Sequence, residues 1–178
     1  MRPFRTVVAD PPWMFGDRLP GKSRGAAKNY GVMSVDDICA LQLPPIADDA
    51  YLFLWRVSAM VEEAYRVVRA WGFIPKSEIV WEKLTKNGKA HFGMGRHVRA
   101  SHETAIVAVR GKPERKAANV RSRFAAVAGA HSEKPAAFYG LVESLARGPY
   151  LELFARRPRT GWTCVGDQMP EPRRLGRA

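Results

Sequence analysis

The chain has 178 residues, 46% of them hydrophobic and 26% charged, enough to bury one core and too few for a catalytic domain beside a large recognition domain. Such a composition excludes a largely disordered chain, and no apolar run reaches the about 18 residues of a membrane-spanning helix. Lys and Arg total 29 against 17 Asp and Glu, a formal net charge of +12, so a polyanionic partner such as a nucleic acid is expected; a protein basic only for solubility is the plainer alternative.

Residues 1–169 read as a single domain and 170–178 as a flexible basic tail. Met1 to Ala9 holds no apolar run of signal-peptide length, so a soluble, cytoplasmic protein is expected, with no membrane partner. Cys39 and Cys164 lack metal-ligand spacing and read as reduced core residues. His91, His97, His102 and His131 are not regularly spaced either, and no metal site is expected.

Short apolar runs alternate with periodic segments in chain order, which predicts an α/β fold with a mostly parallel central sheet and helices on both faces. Thr6 to Ala9 is a short buried strand that stops at Asp10-Pro11-Pro12, where two prolines cannot continue a ladder. A long loop follows to about Met33, small and basic from Gly21 to Lys28. Ser34 caps a short helix with Asp36 and Asp37 in its first turn. Tyr51 to Trp55 is a strand covered on both faces, and Ser58 is expected to cap the next helix, which stops at Gly72. Strands at Ile79–Trp81 and Thr104–Val109 flank a second basic loop, Lys83 to Ala100, whose Gly93-Met94-Gly95 reads as flexible. Gly111 to Ala130 reads as a basic connection, and Ser132 opens a helix to about Arg147 with Pro135 in its first turn. Tyr150–Phe154 and Trp162–Gly166 are the last strands.

Asp10-Pro11-Pro12-Trp13 stands just after the first strand, where open α/β sheets place their ligands. Its residue types suit an aromatic amine. The Asp10 carboxylate can accept one amine N–H and the Pro11 carbonyl the other, while Trp13 offers a flat face for a base to stack on. Taken alone, the tetrapeptide is equally well a simple turn. Glu82 and Lys83, at a strand end near the same face, are candidates for the substrate mouth or else a surface ion pair. His97 is a candidate nucleic-acid contact or a solvated loop histidine. Trp55, Trp71 and Trp81 fit core positions and are left out of the site.

Six motifs occur in order: Asp10-Pro11-Pro12-Trp13; Asn29 to Ser34; Phe53-Leu54-Trp55; His131 to Pro135; Glu152 to Arg156; and Gly161-Trp162 with Gly166-Asp167-Gln168. Together, from Thr6 to Gln168, they closely resemble the MT-A70 family of adenine-N6 methyltransferases, in its compact bacterial and phage form. The resemblance implies a Rossmann-like methyltransferase fold with the catalytic motif ahead of the cofactor-binding segment, and S-adenosylmethionine as cofactor. It implies that Asp10, Pro11, Pro12 and Trp13 hold the target adenine and that Tyr30 closes over it, with Lys28 in the same basic loop. It assigns Lys134 to the cofactor's carboxylate, Glu152, Phe154 and Arg156 to the cofactor pocket beside Asp10, and Asp167 and Gln168 to its ribose or adenine. Gly166-Asp167-Gln168 stands where the family often has Gly-Asn-Glu or Gly-Asn-Gln.

From kinship with the compact form, DNA is the expected substrate and RNA the runner-up. A catalytically silent nucleic-acid-binding subunit is a third reading, and intact Asp10 and Trp13 disfavour it; transfer to a protein amide is disfavoured by Asp10 and the charge. Target recognition would come from the two basic loops, a homodimer or a partner subunit.

Overall fold

A computed structural model describes residues 2–15, 31–95, 97–129 and 133–169. Its strands are β1 (Phe4–Ala9), β2 (Ile46–Arg56), β3 (Ile74–Leu84), β4 (His102–Arg110), β5 (Arg123–Val127), β6 (Tyr150–Leu153) and β7 (Trp162–Val165). They form one sheet in the order β5-β3-β4-β2-β1-β6-β7. The helices are α1 (Val35–Cys39), α2 (Val61–Ala70) and α3 (Ala136–Leu145).

The sheet is mixed. Strand β4 runs antiparallel to both of its neighbours, β2 and β3, and every other pairing is parallel. The carboxyl ends of six strands therefore share one edge with the amino end of β4. From β1 the chain winds outward on the β2 side, and after α3 it returns to β6 on the other side of β1. The crevice above β1 and β6 is thus a switch point, the place where open α/β sheets bind ligands.

Side chains alternate across each strand, so both faces need cover. Val7, Ala9, Leu52, Leu54 and Ile106 point to one face and pack under α1 and α2, against Ile38, Ala64, Val67, Val68 and Trp71. Val8, Phe53, Trp55, Ile79 and Ala105 point to the other, where α3 contributes Phe138, Tyr139 and Val142. Helices on both faces are therefore present, though few. Ser34 caps α1 as expected, its hydroxyl accepting the Asp37 N–H at 3.0 Å.

Several sequence expectations are corrected. Ser58 does not cap α2; the cap is Met60, which makes no side-chain cap hydrogen bond, and α2 is anchored instead by its buried face. Helix α3 begins only after Pro135, which occupies the cap itself. The presumed connection 111–130 contains β5, a strand whose alternately exposed and half-buried residues give a weak apolar signal. Strand β6 ends at Leu153, because Phe154 turns into the left-handed region at φ 61°. Cys39 and Cys164 are half-buried and unpaired by disulfide. Among the described residues no helix is long and apolar enough to cross a membrane.

Phe138 is completely buried and meets Trp55 at 4.6 Å and Phe53 at 6.2 Å between ring centroids. Phe138→Ala should lower the stability by about 3–5 kcal/mol, read as a reduced denaturant midpoint. A midpoint unchanged from the parent would show that α3 is not held by this face.

Candidate active site

The shared edge gathers charge that the chain keeps far apart. Asp10 follows β1, Glu103 lies at the start of β4, Lys83 near the end of β3, and Lys134 just before α3. Lys134 Nζ donates to Asp10 Oδ2 at 2.7 Å and lies 3.2 Å from Glu103 Oε2. The other Glu103 oxygen is paired with Lys83. Only 8% of the Lys134 side chain is exposed, and its ammonium sits 5.0 Å from the centre of the Trp55 ring. Burial works against the Lys134 charge, but Asp10 and Glu103 outweigh it and hold its pKa above the ordinary lysine value. Burial also opposes the Glu103 charge, and Lys134 with Lys83 overcomes it, so that carboxyl is held below its ordinary value.

Two cavities meet at this cluster. One, of about 500 Å³, lies over β1 and β6 and is lined among others by Glu152, Phe154, Tyr139, Arg157 and Arg159. The other, of about 430 Å³, lies over β2, β3 and β4, with Pro11, Pro12, Trp13, Lys83, His91 and His102 in its wall. Asp10, Trp55, Lys134 and Arg156 line both. Each has the size of a small-molecule site, and the shared wall is where two bound groups would face each other.

The larger cavity suits a cofactor with hydroxyls and a carboxylate. Glu152 accepts the Tyr139 hydroxyl at 2.7 Å, while the Arg159 guanidinium lies over the Tyr139 ring. Burial pushes the Glu152 carboxyl up, against Tyr139 and Arg159, which favour its charge. Arg159 and Trp55 both line this cavity, and their buried Nε and Nε1 atoms have no hydrogen-bond partner among the described residues. Phe154 reaches it from a left-handed backbone, a strain of a kind that gathers at ligand sites.

The Asp10-Pro11-Pro12-Trp13 segment is pinned on both sides. The Pro12 carbonyl accepts the Met33 N–H at 2.8 Å and the Met33 carbonyl the Met14 N–H at 3.0 Å. The Pro11 carbonyl already accepts the Trp13 N–H at 2.9 Å, which leaves its second lone pair for a ligand. Trp13 is only 4% exposed, with its indole N–H on the Trp55 carbonyl at 3.1 Å; it is part of the core as well as of the cavity wall.

Of the other sequence candidates, Lys83 lines the smaller cavity, whereas Glu82 is tied to Arg123 and lines neither. His97 is exposed and also lines neither; His91 and His102 take the wall instead. Asp167 and Gln168 are exposed beyond β7. Their turn lies hard against β6's exit, since a Cβ on Gly166 would come 2.2 Å from the Ala155 carbonyl oxygen. Lys28 and Tyr30 lie outside the described residues, as do His131, Ser132 and the tail. Trp55, left out of the site by sequence reasoning, belongs to it. Glu103 and Tyr139 were missed: nothing local marks β4 as the strand that enters from its amino end, and Tyr139 reads as one more core position of α3. No group of His, Cys, Asp or Glu suited to a metal occurs among the described residues.

Lys134→Met should cost about 3–5 kcal/mol in stability, because it leaves Asp10 without its cation and Glu103 with Lys83 alone. Adding Glu103→Gln should recover part of that loss, a coupling read from a double-mutant cycle. Glu103, with its pKa lowered, stabilises the fold above the ordinary glutamate value of 4.5 and loses that contribution as pH falls through its lower folded value. The stability gap between the parent and Glu103→Gln should therefore close in acid; a gap independent of pH would refute the network.

The family model MT-A70 matches residues 4–168. The chain is 29% identical over 175 residues to the N(6)-adenosine-methyltransferase MT-A70-like of Arabidopsis thaliana, covering 93% of this chain and 24% of that protein. It is 28% identical over 184 residues to the human N(6)-adenosine-methyltransferase catalytic subunit METTL3, covering 93% of this chain and 28% of that one. A Drosophila melanogaster MT-A70-like protein is 28% identical over 176 residues, with 93% and 27% covered. The chain spans about a quarter of the length of these curated relatives. With the match running from β1 to the turn beyond β7, the chain belongs to the MT-A70 family of S-adenosylmethionine-dependent adenine-N6 methyltransferases.

Proposed function

We propose that this chain transfers the methyl group of S-adenosylmethionine to the N6 amine of adenine in a nucleic acid, with RNA as the first substrate. The observation that carries the reading is the shared wall: Asp10 and Lys134 border both the cofactor-sized cavity and the one holding Pro11, Pro12 and Trp13.

The amine of adenine is a weak nucleophile because its lone pair is delocalised into the ring. Asp10 keeps Oδ1 for one amine N–H while Lys134 holds Oδ2, and the Pro11 carbonyl offers its remaining lone pair to the other. Both acceptors return electron density to nitrogen and stabilise the positive charge that develops there. When bound, S-adenosylmethionine supplies a methyl group already made electrophilic by its sulfonium, so the protein's task is alignment. Glu152 and Tyr139 suit a ribose diol, and Phe154 and Arg156 line the same space. An ammonium has one more N–H than Asp10 and Glu103 use, which leaves Lys134 a donor for the cofactor's carboxylate. Asp167 and Gln168, which line neither cavity, are kept as ribose or adenine contacts on the family resemblance alone.

The relatives' names refer to adenosine, the ribonucleoside, and support RNA over the DNA expected from the sequence alone. The human relative is named a catalytic subunit, which supports a partner, or a second copy, in target recognition.

The test is to incubate the protein with isotope-labelled cofactor and equal masses of RNA, single-stranded DNA and duplex DNA, then analyse nucleosides by mass spectrometry. Labelled N6-methyladenosine is expected, and label confined to deoxyadenosine would reverse the substrate assignment. Asp10→Ala should lower turnover by at least about 100-fold while retaining cofactor affinity by calorimetry. Unchanged turnover would remove Asp10 from its role.

A further inference from the structure

The three most exposed large apolar side chains among the described residues all lie on one loop, which also contributes to the wall of the smaller cavity. Phe92 is 77% exposed, Met94 86% and Val98 79%, all in the loop between β3 and β4. Three large apolar groups so exposed on one loop mark a contact surface.

This loop is built to hold its tip in place. The Leu84–Ala90 bridge, the His91 N–H on the Lys83 carbonyl at 2.9 Å and the Gly93 N–H on the Ala100 carbonyl at 3.0 Å close its base. The legs are pressed together through two glycines. A Cβ on Gly93 would come 2.2 Å from the Ala100 oxygen, and one on Gly95 1.9 Å from the Val98 oxygen. The glycines therefore serve close approach, not the flexibility that Gly-Met-Gly suggests in sequence. Phe92 and Val98 are turned to solvent by a braced hairpin, while His91, Gly93, Met94 and Ala100 form part of the cavity wall.

Charge decides what such a tip meets. From Thr85 to Ser101 the sequence holds Lys86, Lys89, Arg96 and Arg99 and no acid. Arg99 places its guanidinium 5.2 Å from the centre of the Phe92 ring, and that ring is still mostly exposed. An aromatic face backed by a cation, within a basic loop, fits a base flanked by phosphates better than an apolar protein surface.

We propose that this loop grips the nucleotides flanking the target: Phe92 stacks on a neighbouring base, Met94 and Val98 fill the space beside it, and Lys86, Lys89 and Arg99 take its phosphates. It rests on the reading that a nucleic-acid adenine enters the cavity next to Asp10. A base drawn out of its stack leaves an apolar face, and Phe92 offers a replacement for it.

The test uses the full chain and a fluorescent, adenine-containing RNA oligonucleotide. Phe92→Ala should weaken binding by anisotropy about tenfold and raise KM for RNA in proportion, with cofactor affinity unchanged by calorimetry. Phe92→Trp should restore binding, and Gly95→Ala, which forces the legs apart, should weaken it. RNA affinity unaltered in Phe92→Ala overturns the proposal. So does a change in oligomeric state by sedimentation with RNA affinity intact, which would make the tip a protein interface. If the parent binds RNA but transfers no methyl group, the proposed reaction fails while the loop is still judged by the binding contrast. If it binds no nucleic acid, both fail.

Discussion

Everything at the ligand edge depends on one buried ammonium. Lys134 is the cation against which Asp10 and Glu103 are both set, and Glu103 passes the link to Lys83. Two carboxylates this close to a largely buried position repel each other unless a positive charge lies between them. The chain supplies it from the segment leading into α3, which closes a network across β1, β3 and β4. The same contact fixes the Asp10 carboxylate through its Oδ2 at the wall common to the two cavities.

That network exists because one strand runs against the rest. With β4 reversed, Glu103 and His102 arrive at the edge where the other strands deliver their carboxyl ends. Had β4 run parallel to its neighbours, Val109 and Arg110 would stand there, and Lys134 would keep Asp10 as its only partner from the sheet. The mixed topology thus brings an extra carboxylate to the wall of the smaller cavity, against the Lys134 that both cavities share.

The floor and the rim of the site follow different physics. The floor is core: Trp13 and Trp55 are almost completely buried, and the Trp13 indole bonds to the Trp55 backbone, so the Asp10-Pro11-Pro12-Trp13 segment is fastened by the packing that holds the sheet. The rim is charge and backbone, with Arg156, Arg157 and Arg159 around one cavity and the braced basic loop over the other. A rigid floor with a positive rim suits a reaction whose chemistry needs alignment and whose substrate is a polyanion.

Much of this was legible in the sequence. Asp10-Pro11-Pro12 ends its strand by its own stereochemistry, the apolar run Tyr51–Trp55 marks a central strand, and the order of motifs identifies the family. Local rules were enough there, because prolines, caps and apolar runs act over a few residues. The sequence did not disclose the direction of β4, the existence of β5, the partnership of Lys134 with Glu103, or the place of Trp55 in both cavity walls. Each of these rests on contacts between distant parts of the chain: strand direction is set by which neighbours bury it, and an ion pair spanning β4 and the entry to α3 leaves no local pattern. Gly93 and Gly95 show the same division, since glycine signals freedom in a sequence, and only the tertiary structure shows two backbones too close for a side chain between them.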